Sequence, residues 1–152
     1  MKFIFPGPPI SRIAHKNGTK NGRSYCYDAQ IETMRANKDL LKKMILNKKA
    51  LYFSELTDLA CAIAFEVEVT FYLSFPVKLG KRKIKDIVSG LAPNIANTTP
   101  DCDNMLKFYG DVANGILYKD DKQIISLNSR KYYDMIPRTE FNIMPVGVRY
   151  ET

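Results

Sequence analysis

Histidine and cysteine are scarce in this sequence, which limits the kinds of metal and redox site it can form. Of the 152 residues one is histidine, His15, and three are cysteines, Cys26, Cys61 and Cys102. An odd number of widely spaced cysteines fits neither a disulfide framework nor a zinc site. Because His15 stands alone in a polar stretch, we expect no metal ligation there. Cys102 has no nearby histidine, so we interpret it as a small filler side chain rather than a nucleophile.

Long apolar runs are also missing. The chain has no apolar stretch of about 18 residues, which predicts that it has no membrane span. The opening residues, MKFIFPGPP, are too short and too interrupted by proline for a signal peptide. We therefore expect a cytoplasmic protein. The length suggests one domain, residues 1–152. A domain of this size can bury roughly 70% of its unfolded surface, so it needs no disulfide or structural metal for stability.

Acidic residues are fewer than basic ones. The chain has 23 lysines and arginines against 16 aspartates and glutamates, and this balance favours a polyanionic partner such as nucleic acid. A stretch of little periodicity, residues 76–100, reads as a long loop, and loops of that length are usually functional or disordered. We predict that its basic residues contact DNA, although a merely solvated charged loop is the alternative. These residues are Lys78, Lys81, Arg82, Lys83 and Lys85.

Apolar periodicity predicts a mixed α/β (α+β) fold with a single sheet of about four strands covered by two helices. Asp103 is a good cap for the second helix, Gly115 a plausible end, and Pro145 suggests a bulge on an edge strand. The predicted elements, in chain order, are a strand at 2–5, a polar turn or hairpin tip at 15–24, a helix from its cap Asp28 to about Leu46, a strand at 63–75, the loop, a helix at about 104–114, and strands at 121–130 and 139–150.

Five aspartates are grouped within the stretch TTPDCDNMLKFYGDVANGILYKDDKQI, residues 98–124, on a chain that is otherwise basic. Asp101 and Asp103 flank the predicted helix start. Two ionised carboxylates this close repel, so the pKa of one would rise unless a cation lies between them. Oxygen ligands that leave coordination sites open suit Mg²⁺, which retains water and accepts phosphate oxygens. The pair therefore predicts a metal beside a phosphate.

Two further residues complete the predicted site. Asp121, at the start of the next predicted strand, is a candidate third carboxylate. Lys107 lies one turn past Asp103 and could stabilise charge on a scissile phosphate, while the helix N-terminus offers donors to an anion. Together these groups fit metal-assisted phosphodiester hydrolysis. Alternatives stay open, since Asp103 could be only a helix cap and Asp120–Asp121 could be only a turn. The Asp-x-Asp pair could also be the divalent-cation site of a sugar-nucleotide transferase, although such enzymes generally need a larger domain.

The same stretch resembles the RusA family of Holliday-junction resolvases. The family pattern is Asp-x-Asp-Asn, a lysine three positions later, an aspartate, a small-residue helix end and Asp-Asp-x-Gln. The early FPGPPISR is similar to the family's N-terminal Pro-Gly-x-Pro strand end, whereas the loop at 76–100 is long and NIANTTP replaces an arginine-rich approach to the first aspartate. The matching residues are Asp101, Asp103, Asn104, Lys107, Asp111, Gly115, Asp120, Asp121 and Gln123.

The resemblance implies a small homodimeric endonuclease that requires Mg²⁺ or Mn²⁺. It would cut four-way DNA junctions by paired, symmetric nicks in recombination and repair. Carried over, the catalytic and metal-binding acids are Asp101, Asp103 and Asp121, and Lys107 is the accessory lysine. A non-catalytic module that binds branched DNA, and a nuclease of the same chemistry that prefers flaps, are the competing hypotheses.

The spacing of the three acids raises a question about where the site is assembled. A helix from Asp103 to about Asn114 spans roughly 16–18 Å, and Asp121 lies past its end. The acids could share a metal if residues 115–121 double back along the helix. Alternatively, in a two-fold dimer, Asp121 of one subunit could meet Asp101 and Asp103 of the other.

Overall fold

The structure, a computed structural model, describes residues 1–49 and 51–149. Its main element is a mixed sheet with helices on one face. The elements are β1 (Lys2–Pro6), β2 (Lys16–Lys20), β3 (Arg23–Tyr27), α1 (Ile31–Lys48), α2 (Phe53–Cys61), β4 (Ala62–Leu73), α3 (Lys81–Val88), α4 (Cys102–Ala113), a short 3₁₀ turn (Asp121–Gln123), β5 (Ile124–Tyr133) and β6 (Arg138–Val148).

Four strands form the main sheet in the order β1-β6-β4-β5, while β2 and β3 form a separate hairpin. The centre is β4, which is antiparallel to β6 and parallel to β5. A parallel pair needs a long crossover, and this one contains α3 and α4. The alternation of β4 matches the prediction, because Phe65, Val67, Val69 and Phe71 are buried on one face. Ile63 is the exception, since its side chain is exposed.

Helices α1 and α4 cover that buried face, which confirms the predicted fold class. Leu41 of α1 and five residues of α4 join the core with aromatic residues of β1, β4 and β6. Each such side chain contributes about 1.5–3 kcal/mol when fully buried. None of the described helices is long and apolar enough to cross a membrane. The α4 residues buried in this core are Met105, Phe108, Tyr109, Val112 and Ala113.

Two helices were not predicted. Residues 76–100 are not a continuous loop, because they contain α3, whose eight residues include only two partly buried isoleucines, Ile84 and Ile87. So short an apolar stripe, set among charged residues, gives a weak periodic signal. The other is α2, which leads directly into β4.

Three boundaries also differ from the predictions. Asp28 does not cap α1, which begins at Ile31; instead its carboxylate accepts the Gln30 backbone N–H at 2.8 Å. Asp101, not Asp103, occupies the cap position of α4. Residues 121–123 form the 3₁₀ turn rather than the start of a strand.

The ends of α4 and β6 show one confirmed prediction and one error. Gly115 follows the end of α4 with a φ of 75°, which favours glycine. Pro145 marks no edge-strand bulge, because β6 lies inside the sheet and its register on β4 runs unbroken through the Phe65–Pro145 pair. Proline is tolerated there since β1 pairs only with Arg138–Asn142, so β1 requires no backbone donor from Pro145. Tyr150, the end of the predicted last strand, lies outside the described residues.

Candidate active site

The first turns of α4 present two aspartates and a lysine to solvent. Asp101 is exposed at the cap position in extended conformation, and Asp103 lies in the first turn. The Lys107 Nζ lies 3.7 Å from the Asp103 Oδ2, and both side chains are about two-thirds exposed. An exposed pair at this spacing adds little to stability. The predicted common face of Asp103 and Lys107 is thus observed, and both groups are accessible to a ligand.

The segment before Asp101 is held against the end of β5. Lys131 Nζ donates to the carbonyl oxygens of Thr98 at 2.6 Å and Pro100 at 3.0 Å. The Tyr133 hydroxyl bonds the Thr98 hydroxyl at 2.9 Å. These contacts fix the chain immediately before Asp101. Sequence reasoning did not single out Lys131, because nothing local to β5 indicates that its ammonium reaches two carbonyls some 30 residues away.

Cys102 follows Asp101 and faces the same strand. Its thiol bonds the Ser129 Oγ at 3.2 Å, and the side chain is half-buried. This placement agrees with the interpretation of Cys102 as a small packing residue.

Asp121 lies near the opposite end of α4. The Tyr118 hydroxyl donates to the Gly110 carbonyl at 2.8 Å, so residues after the helix return only to its last turns. Burial raises the pKa of Tyr118, and the negative charges of Asp121 and Asp111 raise it further, which places both carboxylates near this hydroxyl. From Asp101 to Gly110 the helix rises about 13 Å at 1.5 Å per residue.

The position of β5 also indicates that Asp121 lies far from the first residues of α4. Ser129, which contacts the first residue of α4, comes five residues after Ile124, a distance of about 16 Å along a strand. Asp121 precedes Ile124. Across residues 1–49 and 51–149, no three His, Cys, Asp or Glu side chains lie close enough to hold one metal ion. Within one chain, the structure therefore brings Asp103 and Lys107 together but leaves Asp121 apart.

In the second acidic pair, Asp120 and Asp121, both side chains are exposed, but only Asp120 caps the 3₁₀ turn. Asp120 caps the 3₁₀ turn by accepting the Lys122 N–H at 2.9 Å, and the Gln123 Oε1 in turn accepts the Asp120 N–H at 3.4 Å, as well as the Lys119 N–H at 2.8 Å. This reciprocal arrangement is a capping box. It accounts for Asp120 and Gln123 as turn-forming residues, while the neighbouring Asp121 is exposed.

The predicted DNA-binding residues surround α3. All five are exposed, with Lys78 in the preceding turn and the other four on the helix. At about 100° per residue, Lys81, Arg82 and Lys85 fall within one arc of about 100°, whose centre points away from the mean direction of Ile84 and Ile87 by about 140°. Lys83 lies on the flank, about 40° from Ile87. After α3 the chain reaches Asn94, whose carbonyl accepts the Tyr133 N–H at 2.9 Å, and continues to Asp101. The basic helix and the Asp101–Asp103 pair therefore lie at the same end of the sheet.

Arg12 is a structural centre that sequence reasoning missed. Its Nη1 lies 3.0 and 2.9 Å from the two Asp28 oxygens, and its Nε lies 3.1 Å from Asp111 Oδ2. Its backbone N–H donates to the Asn104 carbonyl at 2.8 Å. The Gln30 N–H and the Arg12 guanidinium hold the pKa of the Asp28 carboxyl below its usual value. Asp111 of the acidic stretch thus anchors the N-terminal segment to α4, a contact that spans about a hundred residues and has no local signal.

These features define a small mixed α/β protein with an exposed acidic helix start beside a basic surface, an arrangement that suits a nuclease. The sequence profile of the family Endodeoxyribonuclease RusA matches residues 6–144, and the chain belongs to this family. The chain is also similar to the uncharacterized protein YqaN of Bacillus subtilis (strain 168), with 27% identity over 147 residues that cover 97% of each chain. The resemblance inferred from the acidic stretch is therefore confirmed.

Proposed function

We propose that this protein is a metal-dependent endodeoxyribonuclease that resolves four-way DNA junctions by paired, symmetric phosphodiester cleavage. Family membership supports the nuclease activity. The observation that carries the proposal is the exposed group Asp101, Asp103 and Lys107 at the start of α4, at the same end as the basic helix α3. Such a nuclease works on intracellular DNA, so we propose the cytoplasm as its location.

The donor set at this helix start fits Mg²⁺, or Mn²⁺ in its place. The donors are exposed carboxylate oxygens, and Mg²⁺ typically takes one or two protein carboxylates and keeps several waters for substrate phosphate. When bound, the metal would supply Lewis acidity and a more acidic water. Asp101 and Asp103 would hold the ion, and the Lys107 ammonium would neutralise charge that develops on the scissile phosphate.

We further propose that the active protein is a homodimer in which the partner's copy of Asp121 completes each site. The support is the separation within one chain, because the Tyr118 hydroxyl returns to Gly110, about 13 Å along the helix from Asp101, and Asp121 follows Tyr118 by three residues. A two-fold axis would create two equivalent sites. Two such sites suit paired cuts in a symmetric junction.

The first experiment compares labelled four-way junction, flap and linear duplex DNA, each with Mg²⁺ or EDTA. We expect Mg²⁺-dependent cleavage of the junction. Asp101→Asn, Asp103→Asn and Asp121→Asn should each abolish cleavage and leave junction binding intact or tighter, since a negative charge near phosphate is removed. Asp120→Asn is the matched control, because Asp120 serves the 3₁₀ turn. Cleavage by Asp103→Asn at the wild-type rate would refute the assignment.

The same substrates separate the alternatives. Preferential cutting of flaps would indicate a flap nuclease of the same chemistry. Binding to the junction without cleavage of any substrate would favour the non-catalytic branched-DNA-binding module.

Subunit mixing tests the shared site. Asp103→Asn and Asp121→Asn homodimers should both be inactive. If sites are shared, their heterodimer has one intact site and one doubly altered site, and it should nick one strand. An inactive heterodimer would mean that each site is built within one chain.

A further inference from the structure

The β2–β3 hairpin has two chemically different faces. Cross-strand pairing places Lys16 opposite Tyr27, Gly18 opposite Tyr25, and Lys20 opposite Arg23. Paired residues share a face and alternate residues point to opposite faces. One face therefore carries two lysines, an arginine and two tyrosines, whereas the other carries only neutral side chains. The neutral-face residues are Asn17, Thr19, Ser24 and Cys26.

The two tyrosines form an exposed aromatic surface. Tyr25 and Tyr27 are 48% and 43% exposed, and their ring centroids lie 5.7 Å apart. The Tyr25 ring lies over Gly18 so closely that a Cβ on that glycine would meet its Cζ at 2.6 Å. The absence of a side chain at Gly18 therefore sets the position of the Tyr25 ring.

The hairpin is held to the helix that carries the candidate site. Its turn uses Asn21 and Gly22, with φ of 52° and 73°, the conformation of a tight two-residue hairpin. An isolated hairpin is marginally stable. Here its base is tied down by Arg12, which contacts Asp28 and Asp111, and by Gln30, whose side chain bonds the backbone of residues 11 and 13. The residues that flank the hairpin are thus joined to α4 through the Arg12–Asp111 ion pair.

The charge of this region is uniformly positive. No aspartate or glutamate occurs before Asp28, while Lys16, Lys20 and Arg23 lie on the aromatic face. Phosphates attract such cations, and exposed aromatic rings stack on base faces with little sequence preference. A continuous duplex covers its base faces by stacking, but a branch point interrupts the stack. Basic residues interleaved with rings therefore fit branched DNA better than linear duplex.

We propose that the basic-aromatic face of the β2–β3 hairpin binds the branch point of the DNA substrate. Lys16, Lys20 and Arg23 contact phosphates, and Tyr25 and Tyr27 stack on bases exposed at the branch. This inference rests on the proposed function, because it takes branched DNA as the substrate. It adds an element that recognises the branch, separate from the acids that cut.

The test measures binding in EDTA, so that cleavage does not contribute. Fluorescein-labelled four-way junction and linear duplex of the same arm sequence are titrated with wild type, Tyr25→Leu/Tyr27→Leu and Tyr25→Phe/Tyr27→Phe. We expect the leucine variant to lose at least about 5- to 150-fold in junction affinity, the range typical of one stacked base, with little change for duplex. The phenylalanine variant, which keeps both rings, should bind like wild type. Thr19→Ala/Ser24→Ala, on the neutral face, is the matched control.

The Gly18→Ala variant tests whether binding depends on the position of the Tyr25 ring, because it moves the ring without changing its chemical nature. The added methyl group should displace the exposed Tyr25 ring and weaken junction binding while both tyrosines remain. Amide hydrogen exchange over residues 16–27 checks that the hairpin stays folded in each variant. With 2-aminopurine at the branch, wild type should quench the fluorescence and the leucine variant should not.

Several outcomes would overturn the inference. One is an unchanged junction affinity in the folded leucine variant, and another is an equal loss of affinity for junction and duplex. A third is a shift of the leucine variant to a smaller oligomer, which would make the face a subunit interface. Its failure is distinguishable from failure of the proposed function. If wild type cuts junctions but the leucine variant binds normally, only the hairpin inference fails; if wild type binds through the hairpin and never cuts, only the nuclease proposal fails.

Discussion

Neutralising the outward face of α3 should reduce the salt dependence of junction binding. Lys81, Arg82 and Lys85 are exposed and fall within about 100° of helix surface, so a single DNA segment could contact all three. Replacing each with glutamine keeps much of the side-chain length and removes the charge. Ile84 and Ile87, which face the rest of the protein, are unchanged, so α3 should remain in place.

The expected size follows from counterion release. Each phosphate contact contributes about −0.9 to the slope of log K against log salt, so three contacts contribute about −2.7 for each subunit that touches the junction. Between 50 and 200 mM salt, a fourfold change, wild type should lose about 40-fold more affinity per contacting subunit than the triple variant. Lys83→Gln alone, on the flank, should change the slope by no more than one contact.

Fluorescence anisotropy over a series of salt concentrations in EDTA measures this slope. The control is a variant with the same loss of net charge, Lys42→Gln/Lys43→Gln/Lys49→Gln, whose three exposed lysines lie on α1 or at its C-terminal end. Its slope should stay close to that of wild type. An unchanged slope in the α3 variant, or an equal change in the control, would refute the reasoning and indicate that the basic residues of α3 are only solvated.

Three further predictions concern α4 and its supports. Lys107→Ala should slow single-turnover cleavage by about 100- to 1,000-fold with little change in junction affinity; a tenfold weaker affinity with an unchanged rate would make Lys107 a phosphate anchor. Lys131→Met removes two hydrogen bonds to the segment before Asp101, so cleavage should slow while junction binding persists, and Lys131→Arg should recover part of the rate; a wild-type rate in Lys131→Met would contradict this positioning role. Tyr118→Phe should lower the free energy of unfolding by about 0.5–1.5 kcal/mol near neutral pH. Because the pKa of Tyr118 is raised when folded, the stability it contributes is present below its ordinary value of 10.0 and lost as pH rises above it, so urea unfolding of the phenylalanine variant should show a smaller decline there.

The local pattern was sufficient for the elements with strong periodicity. In β4, five alternating apolar residues bury one face, and in α4 the apolar positions recur at helical spacing, so both were predicted within one or two residues. The acid pair and Lys107 were also predictable, because residues four apart on a helix share a face. Short elements were not predicted, since α3 has only three apolar residues to indicate a helix and the surrounding charges indicate a loop equally well.

The sequence by itself determined the family, the sheet with its two covering helices, and the common face of Asp103 and Lys107, because each depends on spacing within one element. Only the tertiary structure decided that Asp121 lies at the far end of α4 and that Arg12 ties the hairpin to Asp111. Both depend on how segments far apart in the chain pack against one another. The local sequence around a residue does not indicate such contacts, because the residues that make them become adjacent only after the sheet has formed.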